Sequence, residues 1–247
     1  MIKNLFVIKN WPILVRKFKG RLDARNSSTA INEANNWCKQ HASSMEDYMN
    51  ELDPELFKES IEFSIQHKES TECKLRKIEA HLGGGGAVEL LYFLIRLYEP
   101  MFCIETGVAA GHSSAAILSG LKKNSKGLLF SSDLPYFRIK DPNSFIGILV
   151  DEDLKDRWFL ATDGDQKNLL HLPKQFKKID FLHYDSDKYY EGRKQVFSSL
   201  NSYIKNGTII VMDDIQDNLF FKDFICKEKK NFKVFNYKTK YIGLIIP

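Results

Sequence analysis

Acidic residues fall where apolar runs end. The mainly apolar run from Ile179 to Tyr184 closes on Asp185, with Asp187 two residues further on. The β-branched run from Gly207 to Met212 closes on Asp213-Asp214. If these two runs are parallel neighbours in a sheet, their carboxylates share the rim at which open α/β sheets bind ligands. Close carboxylates repel one another unless one is protonated or a cation lies between them. A hard divalent ion with oxygen ligands, Mg²⁺ by preference, meets that need. Asp185, Asp213 and Asp214 are therefore candidate metal ligands; the alternative is that acids at strand ends only cap the helices that follow.

A second constellation lies upstream. The run from Met101 to Ile104 ends in Glu105-Thr106-Gly107, and Gly111-His112-Ser113-Ser114 follows four residues later, opening a small-residue, helix-prone stretch. This is the signature of strand, tight turn and helix. The glycines let backbone approach a ligand closely, and the helix start offers free N–H groups. A third run, Gly127 to Phe130, ends in Ser131-Ser132-Asp133, which places a carboxylate where such folds hold ribose hydroxyls. The spacing is Gly-x-x-x-Gly rather than the dinucleotide Gly-x-Gly-x-x-Gly, and Glu105 beside the first glycine would repel a pyrophosphate.

The elements that must position these groups can be read in order. From Ser28 to about His81 the pattern is polar and helical, and residues 1–82 form an expected N-terminal helical cap outside the sheet. Asp53-Pro54 is a cap and first-turn pair for the helix carrying Leu56, Ile61 and Phe63. Four glycines, 83–86, break the chain and lead into an apolar helix from Val88 to Leu97; they are a hinge or a backbone-lined lip over the ligand. Residues 83–247 form the expected ligand-binding domain. Residues 134–157 are aromatic and irregular, an insertion on the acceptor side, and Trp158 to Ala161 is a strand ending at Thr162-Asp163-Gly164-Asp165. Two final runs, 232–237 and 241–246, are separated by only Lys238-Thr239-Lys240, which allows little but an antiparallel hairpin. The expected fold is an α/β, Rossmann-like sheet, mostly parallel with an antiparallel C-terminal hairpin.

The stretch from Thr106-Gly107 to Ser114, the Asp133-Leu134-Pro135 turn and Tyr184-Asp185-Ser186-Asp187 resemble the class I S-adenosylmethionine-dependent methyltransferases. Asp185 with Asp213-Asp214 resembles the metal triad of the metal-dependent O-methyltransferases, sugar-type and catechol-type alike. The resemblance covers about two-thirds of the chain, from Gly83 to Pro247, and the terminal hairpin agrees with it better than with the all-parallel dinucleotide-binding sheets. It implies that Glu105, Thr106, Gly107, Gly111, Ser113 and Ser114 lie around the methionine end of the cofactor. Asp133 and Leu134 would then lie at the ribose, Gly164 and Asp165 at the adenine, and Asp185 beside the cofactor as well as on the metal. It also implies metal-assisted O-methylation of a small hydroxylated acceptor. The catechol-type base matches Lys188 and the sugar-type base matches Asp187, so both stay as candidate catalytic residues; the sugar-type match points to a sugar or glycan-like acceptor. Tyr189, Tyr190 and Arg193 could line the acceptor pocket. A nicotinamide-dependent oxidoreductase and a non-catalytic scaffold of the same fold are the alternatives.

The chain has 247 residues and a formal charge of +4. Five of its 36 basic residues and none of its 32 acids fall in residues 1–20. A nearly neutral body with a small basic arm excludes the broad basic face of a nucleic-acid binder. The arm is expected to pack on the domain or make weak membrane-surface contact, and a homodimer through the cap is an open expectation. Four scattered cysteines lack metal-type or disulfide-framework spacing, and the N-terminal apolar stretch, broken by Lys9-Asn10 and Pro12, fits no signal peptide. A cytoplasmic location is expected.

Overall fold

Strand order and register follow from which runs are apolar on both faces. The computed structural model describes residues 23–76, 78, 82, 85–134 and 142–247. The basic arm, Gly83-Gly84 and Pro135 lie outside the described residues. Ahead of the sheet come α1 (Ser28–His41), the two-residue β1 (Ala42–Ser43), α2 (Met45–Leu52) and α3 (Pro54–Leu75). Ser27, Ser44 and Asp53 accept N–H bonds at the starts of the three helices, as small polar caps do. There follow α4 (Val88–Tyr98), β2 (Phe102–Thr106), α5 (His112–Lys123), β3 (Leu128–Ser132), β4 (Trp158–Ala161) and the single-turn α6 (Asp165–Asn168). The chain closes with β5 (Ile179–Tyr184), α7 (Tyr190–Leu200), β6 (Ile204–Met212), α8 (Phe220–Glu228), β7 (Asn231–Tyr237) and β8 (Lys240–Ile246).

The sheet order is β1-β7-β8-β6-β5-β2-β3-β4. From β6 through β5, β2 and β3 to β4 all pairs are parallel, while β8 runs antiparallel to both β6 and β7. The expected mixed sheet with its terminal hairpin is present. The helical cap is not wholly outside it, because Ala42 and Ser43 pair in parallel with Val234 and Phe235. Without β1 the edge of β7 would expose unpaired backbone groups, and covering such an edge is how natural sheets avoid adventitious pairing.

Parallel strands buried on both faces split their side chains between two cores. One face carries Cys103, Leu129, Phe181 and Val211 against α4 and α5. The other carries Ile104, Phe130, Leu182 and Ile210 against Val196, Phe197, Phe220 and Phe221 of α7 and α8. Helix α4 supplies six residues, Leu90 through Ile95, of which the most exposed is Tyr92 at 5%. Among the described residues no helix is long and apolar enough to cross a membrane.

Candidate active site

The carboxyl ends of β2, β3, β5 and β6 carry the groups singled out by sequence. After β2 the backbone turns through left-handed conformations at Gly107 (φ 86°), Ala109 (φ 50°) and Gly111 (φ 99°) before α5 begins. At Gly107 a Cβ would stand 2.1 Å from the carbonyl oxygen of Asp185, so the loop lies directly on the end of β5. The Asp185 N–H in turn donates to the Thr106 carbonyl at 2.8 Å, and Ser186 Oγ donates to Thr106 Oγ1 at 3.2 Å. Asp133 clamps the loop: its Oδ2 accepts from the N–H groups of Val108 (2.9 Å) and Ala109 (2.6 Å), and its Oδ1 from that of Leu134 (2.6 Å). A carboxylate has about four lone-pair sites, so one on Oδ1 remains for a ligand hydroxyl. Burial pushes the Asp133 carboxyl up, against the lowering by its three N–H donors.

The second wall is built from the ends of β3 and β4. Gly164 donates its N–H to the Asp133 carbonyl at 3.0 Å, and its Cα packs on the Leu134 side chain. Asp165 accepts from Ser132 Oγ at 2.6 Å. Thr106, Gly107, Gly111, Asp133, Leu134, Gly164, Asp165 and Asp185 thus lie together at the carboxyl end of the sheet, and Ser113 lies buried in the first turn of α5.

Glu105 and Ser114 are placed beneath the loop rather than in it. Glu105 is fully buried and its Oε2 accepts from Ser114 Oγ (2.5 Å) and Ser131 Oγ (2.8 Å). Its Oε1 lies 3.4 Å from Nδ1 of His183, which stands opposite it in the β2–β5 register. The other ring nitrogen of His183 lies 3.9 Å from Asp213 Oδ1, a contact too long for a hydrogen bond. Burial alone would lower the His183 pKa; the flanking Asp213 and Glu105 outweigh it and raise it to about 10. Burial likewise works to raise Asp213, and His183 and Lys240 overcome it to hold Asp213 at about 2. At Asp185 burial and the charge of Asp213 outweigh the lowering by His183 and Lys240 and lift it to about 7.

Two lysines reach the acidic rim. Lys240 Nζ, at the start of β8, is 2.5 Å from Asp213 Oδ2 and 4.0 Å from Asp214 Oδ1. Lys188 pairs with Asp214 Oδ2. Burial works against charge on both ammoniums, but their aspartates raise both above the ordinary lysine value. From below, the buried Arg193 donates Nη2 to the carbonyls of Asp214 (2.8 Å) and Asp213 (3.4 Å), so it supports the rim instead of lining a pocket. Tyr190 likewise faces away, its hydroxyl on Asp223 and its ring under Arg25. Asp187 accepts the Tyr189 N–H at 2.9 Å and packs over Gly192, which ties it to the start of α7.

The expected metal does not fit this arrangement. A divalent ion of the Mg²⁺ kind needs several oxygens directed at one point about 2.1 Å away. Asp213 Oδ2 is taken by Lys240, Asp214 Oδ2 by Lys188, and Asp213 Oδ1 faces the enclosed His183. Among the described residues no three His, Cys, Asp or Glu side chains are grouped to hold an ion. Sequence singles out Lys188 as a candidate base rather than as a partner of Asp214, and Lys240 reads there as an ordinary hairpin-turn cation.

On the acceptor side the rim meets the cap and hairpin. Gly86 approaches Asp213, where a Cβ would lie 3.2 Å from Oδ2, and Gly85 lies on His112. Tyr237 donates to the Gly86 carbonyl at 3.4 Å. His67 of α3 meets His112 at 3.0 Å between ring nitrogens. The described glycines of the run thus lie between His112 and Asp213.

Residues 104–215 match the family model described as a methyltransferase domain. No curated protein matches the chain. Among solved structures, the O-methyltransferase from Bacillus cereus in complex with S-adenosylhomocysteine aligns at TM-score 0.55 and 16% identity, over 85% of this chain and 100% of that one. The O-methyltransferase TomG from Streptomyces achromogenes, involved in tomaymycin synthesis and bound to S-adenosylmethionine, aligns at TM-score 0.55 and 14% identity, over 83% and 99%. A Podospora anserina methyltransferase bound to S-adenosylhomocysteine aligns at 0.52 and 12%, over 89% and 96%. At these identities the likeness is one of fold. The family match rests on the segment that holds the glycine loop, Asp133 and the acidic rim, and it displaces the nicotinamide reading. The segment 104–215 thus carries the match to a methyltransferase domain, on a fold shared with these solved methyltransferases.

Proposed function

We propose that this chain methylates a hydroxyl oxygen of a small, polar acceptor of sugar or glycan type. The observation that carries the acceptor class is the polar make-up of the rim, where Lys188, Lys240 and Asp214 gather beside the Tyr237 hydroxyl and the His67–His112 pair. A flat aromatic acceptor gains most from an apolar slot, and a polyol gains from donors and acceptors at close spacing. S-adenosylmethionine, when bound, supplies a methyl group on a cationic sulfur. Gly107, Gly111 and the start of α5 would receive its methionine end, where backbone approach is free of side chains and helix N–H groups meet the carboxylate. The remaining lone pair of Asp133 would take a ribose hydroxyl, with Gly164 and Asp165 at the base.

The chain's own part in the chemistry is alignment and proton handling. Lys188 is a poor proton acceptor because Asp214 holds its ammonium charged, so a rim carboxylate takes the acceptor proton, Asp187 by the resemblance. Metal assistance, expected from the three carboxylates, is left out of this reading because lysines pair with one oxygen of Asp213 and one of Asp214. The test is calorimetric titration with S-adenosylhomocysteine, followed by release of that product from S-adenosylmethionine in the presence of sugars, uronic acids, catechols and amines. Saturable one-site heat and turnover of sugar hydroxyls are expected. Turnover of catechols or amines with no sugar hydroxyl accepted would sink the acceptor class, and no heat at all would sink the methyltransferase reading.

A further inference from the structure

Three carboxylates at neighbouring strand ends repel one another without a cation. The chain meets that demand itself. Lys240 comes from the C-terminal hairpin, Lys188 from the loop after β5, His183 from β5 and Arg193 from α7, and all four point at Asp213-Asp214. Arg193 is 1% exposed, and its Nε and Nη1 have no hydrogen-bond partner among the described residues, so it acts on the rim as an enclosed charge as well as through Nη2. Asp213 is closed on every side, with Lys240 and Gly86 at Oδ2 and His183 at Oδ1. Its side chain is 1% exposed and that of Lys240 20%. An ion could reach the Oδ2 of Asp213 only by displacing the half-buried ammonium that neutralises it.

We propose that Lys240, with Lys188, supplies the positive charge at this rim in place of a divalent ion, and that methyl transfer by this chain needs no metal. The proposal rests on the methyltransferase reading for its second half only; the exclusion of the ion stands on the ion pairs. Lys240 is a positioning residue here. Held between Asp213 and Asp214, it fixes both carboxylates and turns an ammonium toward the acceptor side, where it can donate to an acceptor oxygen but cannot chelate a pair of them as an ion would. Regiochemistry then comes from hydrogen bonding, and a vicinal pair of hydroxyls on the acceptor is not required.

The experiment uses the full chain and Mn²⁺ as probe, read by the loss of its free-ion paramagnetic resonance signal. S-adenosylhomocysteine calorimetry on the same samples is the control. Wild-type protein is expected to take up Mn²⁺ no more tightly than about 1 mM, the weak end of all-oxygen protein sites. The Lys188→Met/Lys240→Met double variant is expected to bind it at least about tenfold more tightly, since two uncompensated carboxylates then attract the ion. Lys240→Arg keeps the charge and is expected to behave as wild type, which leaves a test in hand if the double variant does not fold. Saturable wild-type uptake near about 10 µM, lost in Asp213→Asn, would overturn the proposal, because sites of that strength are typical of dedicated ion sensors. A folded double variant that gains no affinity would overturn it too. Loss of cofactor heat in the wild type strikes the methyltransferase reading instead, and the Mn²⁺ measurement stays interpretable without it.

Discussion

Replacing Gly107 by alanine tests the cofactor loop at its tightest point. Two costs arise and both can be sized. The backbone at Gly107 has φ 86°, outside the range L-residues favour, and a left-handed alanine costs about 1–2 kcal/mol. The new Cβ would also lie 2.1 Å from the Asp185 carbonyl oxygen, 2.6 Å from its carbon and 3.1 Å from the Ser186 nitrogen. All three are backbone atoms, so no rotamer change relieves the clash. Restoring ordinary carbon–oxygen contact requires the loop and the end of β5 to part by roughly 1 Å, a misplacement that costs on the order of 100-fold in a positioned site. The expected result is a folded protein with melting temperature lowered by several degrees and S-adenosylhomocysteine affinity weakened about 100-fold by calorimetry. Gly207→Ala is the control, since nothing lies within 4 Å of its Cβ position; affinity and stability should match wild type. Gly107→Ala protein that binds within threefold of wild type would refute the claim that this loop lies against the cofactor.

Two further outcomes follow from the cap region. Asp53 accepts the N–H groups of Glu55 and Leu56 at 3.1 and 2.9 Å, so Asp53→Ala should lower unfolding free energy by about 1 kcal/mol in urea titration while cofactor heat stays unchanged. His67 faces His112, with Asp151 and Lys74 nearby and Lys238 acting on His112; burial first, and then His112, lower its pKa to about 4. An unfolded histidine titrates near 6.5, so between pH 6.5 and 4 the unfolded chain binds more protons at this residue. Stability from His67 is therefore full above pH 6.5, falls as pH drops toward 4 and is level below that. The urea midpoint difference between wild type and His67→Gln should change in that window, and a difference independent of pH from 7 to 4 would contradict the buried neutral pair.

Much of the sheet was legible because its central strands announce themselves chemically. Buried on both faces, β2, β3, β5 and β6 read as apolar runs, and each ends in a polar group at the ligand-binding rim. The hairpin β7–β8 was legible from the shortness of its turn. Ala42–Ser43 was not: two small residues carry no alternation, and only the open edge of β7 gives them a partner. Glu105 was legible as an acid at a strand end but not as a buried one. Its partners Ser114, Ser131 and His183 sit on three other elements, and register alone lays Ser131 and His183 on either side of it.

The same distinction decides what the acidic rim is for. Carboxylates gathered at a rim are visible in sequence because strand ends are visible, and strand order then makes them neighbours. The compensating cations do not share that regularity: Lys240 arrives by the return of β8 antiparallel to β6, which sets Gly243 opposite Met212 and carries the start of β8 past the end of β6 to Asp213. A turn lysine is ordinarily a solvated charge. Here the antiparallel return converts it into a partner for a carboxylate whose side chain is 1% exposed. Counting charge only among residues whose positions the strand pattern reveals leaves out the ammonium of Lys240. A rim of this kind must be read with the hairpin that closes over it, and the hairpin brings the ammonium that completes it.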